Sequence, residues 1–145
     1  MREIKFRGHS SKDNRWHYGF AFNPHLEVWH ILHSDNDLPF KETQREALVA
    51  KSSIGQFSGL KDKNGIEIYE GDIIGDWTDV DGKMEQSKQT VYFDEMIGQW
   101  MLDNSLKQDK TISYSLFSEL QNFEYEIIGN IFENPKMLLV TQAIT

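Results

Sequence analysis

Four of the five histidines, His17, His25, His30 and His33, fall in one region of the chain, and imidazole is a ligand type for zinc and related metals. His30 and His33, with Asp35 or Asp37, would complete a set that zinc accepts. Strand geometry counts against it: residues three apart on a strand point to opposite faces, so His30 and His33 converge only where the chain turns between them. Separate surface histidines are the better reading, with His17 on an aromatic strand suited to partial burial and a hydrogen bond. Asp62, Glu67, Glu70 and Asp72 form a second group, whose oxygens suit a hard cation. Their spacing does not make a calcium loop, because no D-x-[DN]-x-[DN]-G run with a twelfth-position glutamate is present. Asp62 and Asn64 read instead as acceptors for the amides of their own loop, and Asp72 as the same device at the next corner. Ser58 precedes Gly59, but the glycine before it is Gly55, three positions away, so no G-x-S-x-G elbow exists. A phosphate-cradling G-x4-G-K run is also missing. The absence of cysteine removes thiolate catalysis, disulfides and Cys-ligated metals together. No catalytic residue, metal ligand or cofactor is therefore expected. Catalysis by histidine and carboxylate groups stays as an alternative, visible only if those side chains meet in space.

Binding chemistry is better represented. Trp16, Tyr18, Phe20, Trp29, Trp77, Tyr92 and Trp100 lie on predicted strands, and rings on an open β surface stack unpaired bases. Core packing is the leading role for such rings in a domain of this size. A nucleic-acid site, if built, would use Arg2, Lys5, Arg7, Arg15, Trp16 and Tyr18. The net charge of −8 opposes it, since phosphate binding depends on Lys and Arg displacing counterions. That charge is unevenly spread. Arg2, Lys5, Arg7, Lys12 and Arg15 face only Glu3 and Asp13 before Phe20, whereas the segment from Lys61 to Asp103 is strongly acidic. Solvated charge is the simpler reading, with head-to-tail association or docking as the functional one.

These side chains must be carried by elements, and the pattern is that of strands. Arg2 to Arg7 alternates Ile4 and Phe6 with charge, Ser10 to Asn14 is turn material, and Trp16 to Phe20 resumes as an aromatic strand. Asn23-Pro24 interrupts, and Leu26 to Leu32 suits another strand. Lys41 to Ser53 is open between a helix begun by Thr43 to Glu46 and a strand through Ala47 to Ala50. Asn64-Gly65 and Asp81-Gly82 each fit a type I′ hairpin turn. Thr90 to Phe93 and Met96 to Asp103 form a strand pair reversing near Gly98. Ser115 to Leu120 is a short helix with Leu116, Phe117 and Leu120 on one side. Tyr125 to Ile131 is a strand in which Gly129 permits a bulge or a close backbone approach. Asn134-Pro135 closes the structured part, ahead of an apolar tail from Met137 to Val140. At 145 residues, 39% of them hydrophobic, the chain is expected to form one mostly β domain over 1–145. The architecture is an antiparallel meander or small SH3-like barrel, with a variable insert at about 20–53 and one short helix. No run approaches the roughly 18 apolar residues of a membrane span, and the N-terminus lacks a signal peptide's apolar block. A cytoplasmic location, without membrane contact, is expected.

Four blocks carry a resemblance. They are Met1 to Gly8, Gly55 to Ile74, Thr90 to Leu102, and Tyr125 to Pro135. The run Gly59-Leu60-Lys61-Asp62-Lys63-Asn64-Gly65, followed by Ile68-Tyr69-Glu70-Gly71-Asp72-Ile73, is the most specific. Together these blocks resemble the YopX family of phage and prophage proteins, with Ser58 standing where the family has threonine and Phe20 to Ser53 matching poorly. The resemblance singles out Gly59, Asp62, Asn64, Gly65, Tyr69, Gly71, Asp72, Gly129, Asn130, Asn134 and Pro135 as structural motif positions. It carries over no catalytic residue. It implies a phage-borne protein of the bacterial host cytoplasm that self-associates. The expected function is therefore that of a noncatalytic accessory protein acting by self-assembly and contact with a host or phage protein. The alternatives are a single-stranded nucleic-acid-binding β domain and a cryptic His/carboxylate enzyme.

Overall fold

The computed structural model describes residues 2–25, 28–33, 46–103 and 113–139. Over these the chain is mostly antiparallel β with one α-helix, and none of its sheets closes into a barrel. Of the two arrangements expected, the meander is the one observed. The chain divides into two compact units, Met1–Gly59 and Leu60–Thr145.

The first unit is a sheet of β1 (Phe6–Ser10), β2 (Arg15–His25), β3 (Val28–His33), β4 (Glu46–Val49) and the start of β5 (Gly55–Lys61), with a 3-10 turn at Lys51–Ser53 before β5. Its order is β4-β3-β2-β1-β5. The first strand starts at Phe6, later than the expected Arg2, and Ser10 pairs with Arg15 instead of turning. Asn23-Pro24 does not end β2. The register with β3 shifts between Phe22 and His25, which is how a strand accommodates a proline that has no N–H to give. The Phe20 to Ser53 segment is no appendage to this sheet. It supplies β3, β4 and the second half of β2, and it buries Ile31 and Val49. Of the two readings of Lys41 to Ser53, the strand holds at Glu46–Val49. Thr43 to Arg45, Asp35, Asp37, Pro39 and the Asn104 to Lys110 connector lie outside the described residues. Two glycines let the strands approach. A Cβ on Gly8 would stand 2.7 Å from a Val49 methyl, and one on Gly19 would stand 1.9 Å from the Leu32 carbonyl oxygen.

The second unit contains β6 (Glu67–Tyr69), β7 (Asp72–Gly75), β8 (Trp77–Val80), β9 (Lys83–Gln86), β10 (Gln89–Asp94), β11 (Gln99–Asp103), β12 (Tyr114–Ser115), α1 (Leu116–Asn122) and β13 (Glu126–Asn130). A sheet runs β12-β11-β10-β7-β13, and β8 and β9 form a separate two-stranded ribbon. β7, between β10 and β13, is buried along its whole length, so Ile73 and Ile74 are both covered although they point to opposite faces. Ile74 joins Ile68, Val91, Leu102, Leu116 and Tyr125 in the core. Ser115 caps α1, its hydroxyl accepting the Ser118 amide at 3.4 Å. Leu116 and Leu120 turn inward one helical turn apart, whereas Phe117, expected beside them, lies about 100° round the helix and is exposed.

The two turn candidates resolve differently. Asp81 (φ 52) and Gly82 (φ 81) are both left-handed between the paired Val80 and Lys83, the type I′ geometry expected. Asn64 keeps a negative φ, so Asn64-Gly65 is not type I′. The Gly65 amide donates to the Asp62 carbonyl and the Asp62 amide to the Ile66 carbonyl, making a three-residue loop with Gly65 (φ 78) in the left-handed position.

Candidate functional site

Residues that face each other across neighbouring strands lie on the same side of the sheet, so the register places the side chains of the first unit. Gly19 faces His33, and His17 is two residues before Gly19, which brings His17 and His33 to one face. Their Nδ1 and Nε2 atoms are 2.8 Å apart, and His17 Nε2 is 2.8 Å from Asp13 Oδ2. The two rings are 10° from parallel with centres 5.0 Å apart. An imidazole nitrogen lies only about 1.1 Å from its ring centre, so 2.8 Å plus two such offsets reproduces the 5.0 Å separation. The rings are coplanar and joined edge to edge by a hydrogen bond, not stacked face on face. A carboxylate only accepts, so His17 donates Nε2–H to Asp13. With His17 neutral, its Nδ1 accepts and His33 Nε2–H donates. Asp13 is itself held, its other oxygen accepting the Arg15 amide at 3.1 Å. Desolvation pushes the Asp13 carboxyl up, but the charge and hydrogen bond of His17 and the Arg15 amide together hold it below the usual range.

His30 and His33 lie on opposite faces, as strand geometry predicted. The His30 ring stacks on Phe22 at 5.3 Å, and its Nδ1 is 3.9 Å from Glu46 Oε2. His17 takes the place that sequence spacing offered to His30. No periodicity links positions 17 and 33, and only the β2–β3 register joins them.

The opposite face of the same sheet carries the rings. Arg7 faces Tyr18, His9 faces Trp16, Phe20 faces Leu32, Phe22 faces His30, and His30 faces Leu48. The buried Arg7 guanidinium lies 4.5 Å over the Trp16 ring, and the His9 ring meets Trp16 edge-on at 5.2 Å. Lys5 sits over Phe57 at 5.2 Å and pairs with Glu3 at 3.3 Å. Of the six residues named for nucleic acid, Lys5, Arg7, Trp16 and Tyr18 thus share one side, where both cations already rest on rings. Arg15 faces Ser10 on the other side, and Arg2 is exposed ahead of β1. Tyr18, Phe20, Leu32 and Leu48 lie on this face too, with Phe20 opposite Leu32 and Leu48 diagonal to Leu32, each between 38% and 54% exposed.

The carboxylates of the second unit are occupied separately. Asp62 Oδ1 accepts the Asn64 and Ile66 amides, and Oδ2 accepts the Ile127 amide at 3.1 Å, sixty-five positions away. The buried Asp72 accepts the Tyr69 amide at 2.7 Å. Tyr69 donates its hydroxyl to Glu67 at 2.9 Å. Burial first, and then the charge of Glu95, push the Glu70 carboxyl up. Among the described residues no three His, Asp or Glu side chains gather as a metal site. The remaining motif positions shape turns. Gly59 and Gly71 are left-handed at φ 83 and 88. The register of β13 shifts between Ile127 and Gly129, the bulge being one of the two readings of that glycine, and a Cβ there would stand 2.8 Å from the side-chain atoms Asn134 Oδ1 and Met137 Sδ. Asn130 Oδ1 accepts the Phe132 and Glu133 amides, Asn134 Oδ1 accepts the Asn130 amide, and Pro135 opens the final 3-10 turn.

Compared with known proteins, the chain matches the family described as "YopX protein" over residues 5–139. It belongs to the YopX family. The match spans both units of this YopX chain, including the Phe20 to Ser53 segment. No curated protein matches it. Among solved structures it is similar to protein EF1440 from Enterococcus faecalis, at 19% identity and a TM-score of 0.58. That likeness covers 96% of this chain and 100% of the other, and it shows a shared fold. Among the described residues of this YopX chain no helix is long and apolar enough to cross a membrane.

Proposed function

We propose that this YopX-family chain is a noncatalytic phage or prophage accessory protein of the bacterial cytoplasm, acting by self-assembly and by contact with a host or phage protein. The observation that carries the reading is the exposed apolar surface of Tyr18, Phe20, Leu32 and Leu48 on one face of the first sheet. Scattered single hydrophobics need no partner, but aromatic and branched side chains adjoining across three strands are the makings of an interface core. The same face offers nucleic acid little, since its cations are spent on Trp16, Phe57 and Glu3.

Light scattering and sedimentation of the tag-free protein test self-assembly. An oligomer at micromolar concentration that falls to monomer in Phe20→Ser/Leu32→Ser, with the circular dichroism of the wild type, is expected. A monomeric wild type, or an oligomer indifferent to both substitutions, overturns this surface as the assembly site. Affinity purification from host cells, with and without nuclease, tests the partner. A protein retained in both conditions and lost in the double variant supports the proposal. Companions that vanish with nuclease would favour the single-strand nucleic-acid alternative.

A further inference from the structure

The Asp13–His17–His33 chain runs from the turn before β2, through β2, to β3. His17 donates one ring nitrogen to a fixed carboxylate and presents the other, 2.8 Å away, to a second imidazole. A carboxylate behind a histidine is the arrangement that sets tautomer and basicity in metal-ligating histidines. We infer that His17 Nδ1 and His33 Nε2 form a two-histidine site for a divalent transition metal of the zinc class, with Asp13 as the residue that positions His17. In the structure a hydrogen bond joins the two nitrogens that the metal would take as ligands.

Two nitrogens at about 2.0–2.1 Å from a tetrahedral zinc are about 3.3 Å apart, and the metal lies off the line between them. The pair therefore opens by roughly half an ångström from its present separation, and each ring tilts by roughly 35° to aim its nitrogen at the metal. Protons balance between neutral imidazoles: His17 keeps its Nε2–H on Asp13, and His33 binds through Nε2 with its proton carried on Nδ1 instead. Imidazole donors select zinc, nickel or copper over magnesium and calcium, which prefer oxygen. Two protein ligands leave the remaining positions to water or an incoming group, and they limit affinity to the micromolar range. His30, on the opposite face against Phe22, is outside the site.

Titration of the tag-free, full-length protein with zinc chloride, followed by calorimetry, tests this. One saturable equivalent per chain is expected, lost in His17→Ala and in His33→Ala, weakened about tenfold in Asp13→Asn, and unchanged in His30→Ala. Nitrogen-15 spectra of the wild-type imidazoles supply a readout that needs no variant. Zinc should shift His17 Nδ1 and His33 Nε2 and leave His17 Nε2 protonated. Absence of a stoichiometric equivalent, retention of it in both alanine variants, or a shift centred on His17 Nε2 each overturns the assignment.

Discussion

Asp62 serves two distant segments with one side chain: Oδ1 closes the loop it begins, and Oδ2 holds the Ile127 amide of β13. Replacing it with alanine leaves three amides without that acceptor. Asp62→Ala should therefore lower unfolding free energy by about 2–4 kcal/mol in urea titration. Asp62→Asn, which keeps one acceptor oxygen, should fall between it and the wild type. Glu70 is the opposite case, a carboxyl that burial and the charge of Glu95 make reluctant to ionise. Its pKa is raised in the folded state, so the stability it contributes is full below its unfolded pKa and is lost as pH rises through the folded value. Glu70→Gln should raise the thermal midpoint at pH 7, and the gain should vanish below about pH 4, where the wild-type carboxyl is protonated anyway. Scanning calorimetry at both pH values distinguishes this from a uniform effect.

At the level of elements, the two Xaa-Gly turns show how the same dipeptide chemistry gives two geometries. In Asp81-Gly82 both residues are left-handed, and the strands meet with two residues between them. In the Asp62 to Ile66 loop only Gly65 is left-handed, with the Asp62 side chain accepting the Asn64 and Ile66 amides and the Asp62 carbonyl accepting the Gly65 amide. Asn64→Ala should accordingly cost less than about 0.5 kcal/mol, whereas Gly65→Ala should cost about 1 kcal/mol or more. Equal losses at both positions would restore the type I′ turn. Gly65→Val should be worse still, since a β-branched residue resists positive φ. Elsewhere local pattern located the strands and misjudged their ends. Pairing decides an end: Ser10 has every local feature of a turn residue and is a strand residue because Arg15 stands opposite it.

For the whole molecule, a charge of −8 and the internal use of Lys5 and Arg7 combine against phosphate binding. A labelled single-stranded oligonucleotide should show no anisotropy change with micromolar protein in about 0.15 M salt. A change that collapses as salt is added would return Tyr18 and Phe20 to the role of stacking platform. What the amino-acid sequence determined by itself is what depends on near neighbours: strand-forming runs, the Asp81-Gly82 turn, the short helix after Ser115, and the run from Gly59 to Ile73 that marks the YopX family. Those features rest on backbone dihedrals and on hydrogen bonds spanning a few residues, and residue type alone selects them. The meeting of His17 with His33, the burial of Arg7 against Trp16, the hold of Asp62 on Ile127 and the exposed row from Tyr18 to Leu48 were decided only by tertiary structure. The first, second and fourth depend on strand register, which sets which distant residues share a face, and a shift of one residue would have sent those side chains to the other side; the third depends on the packing of the Asp62 loop beside β13.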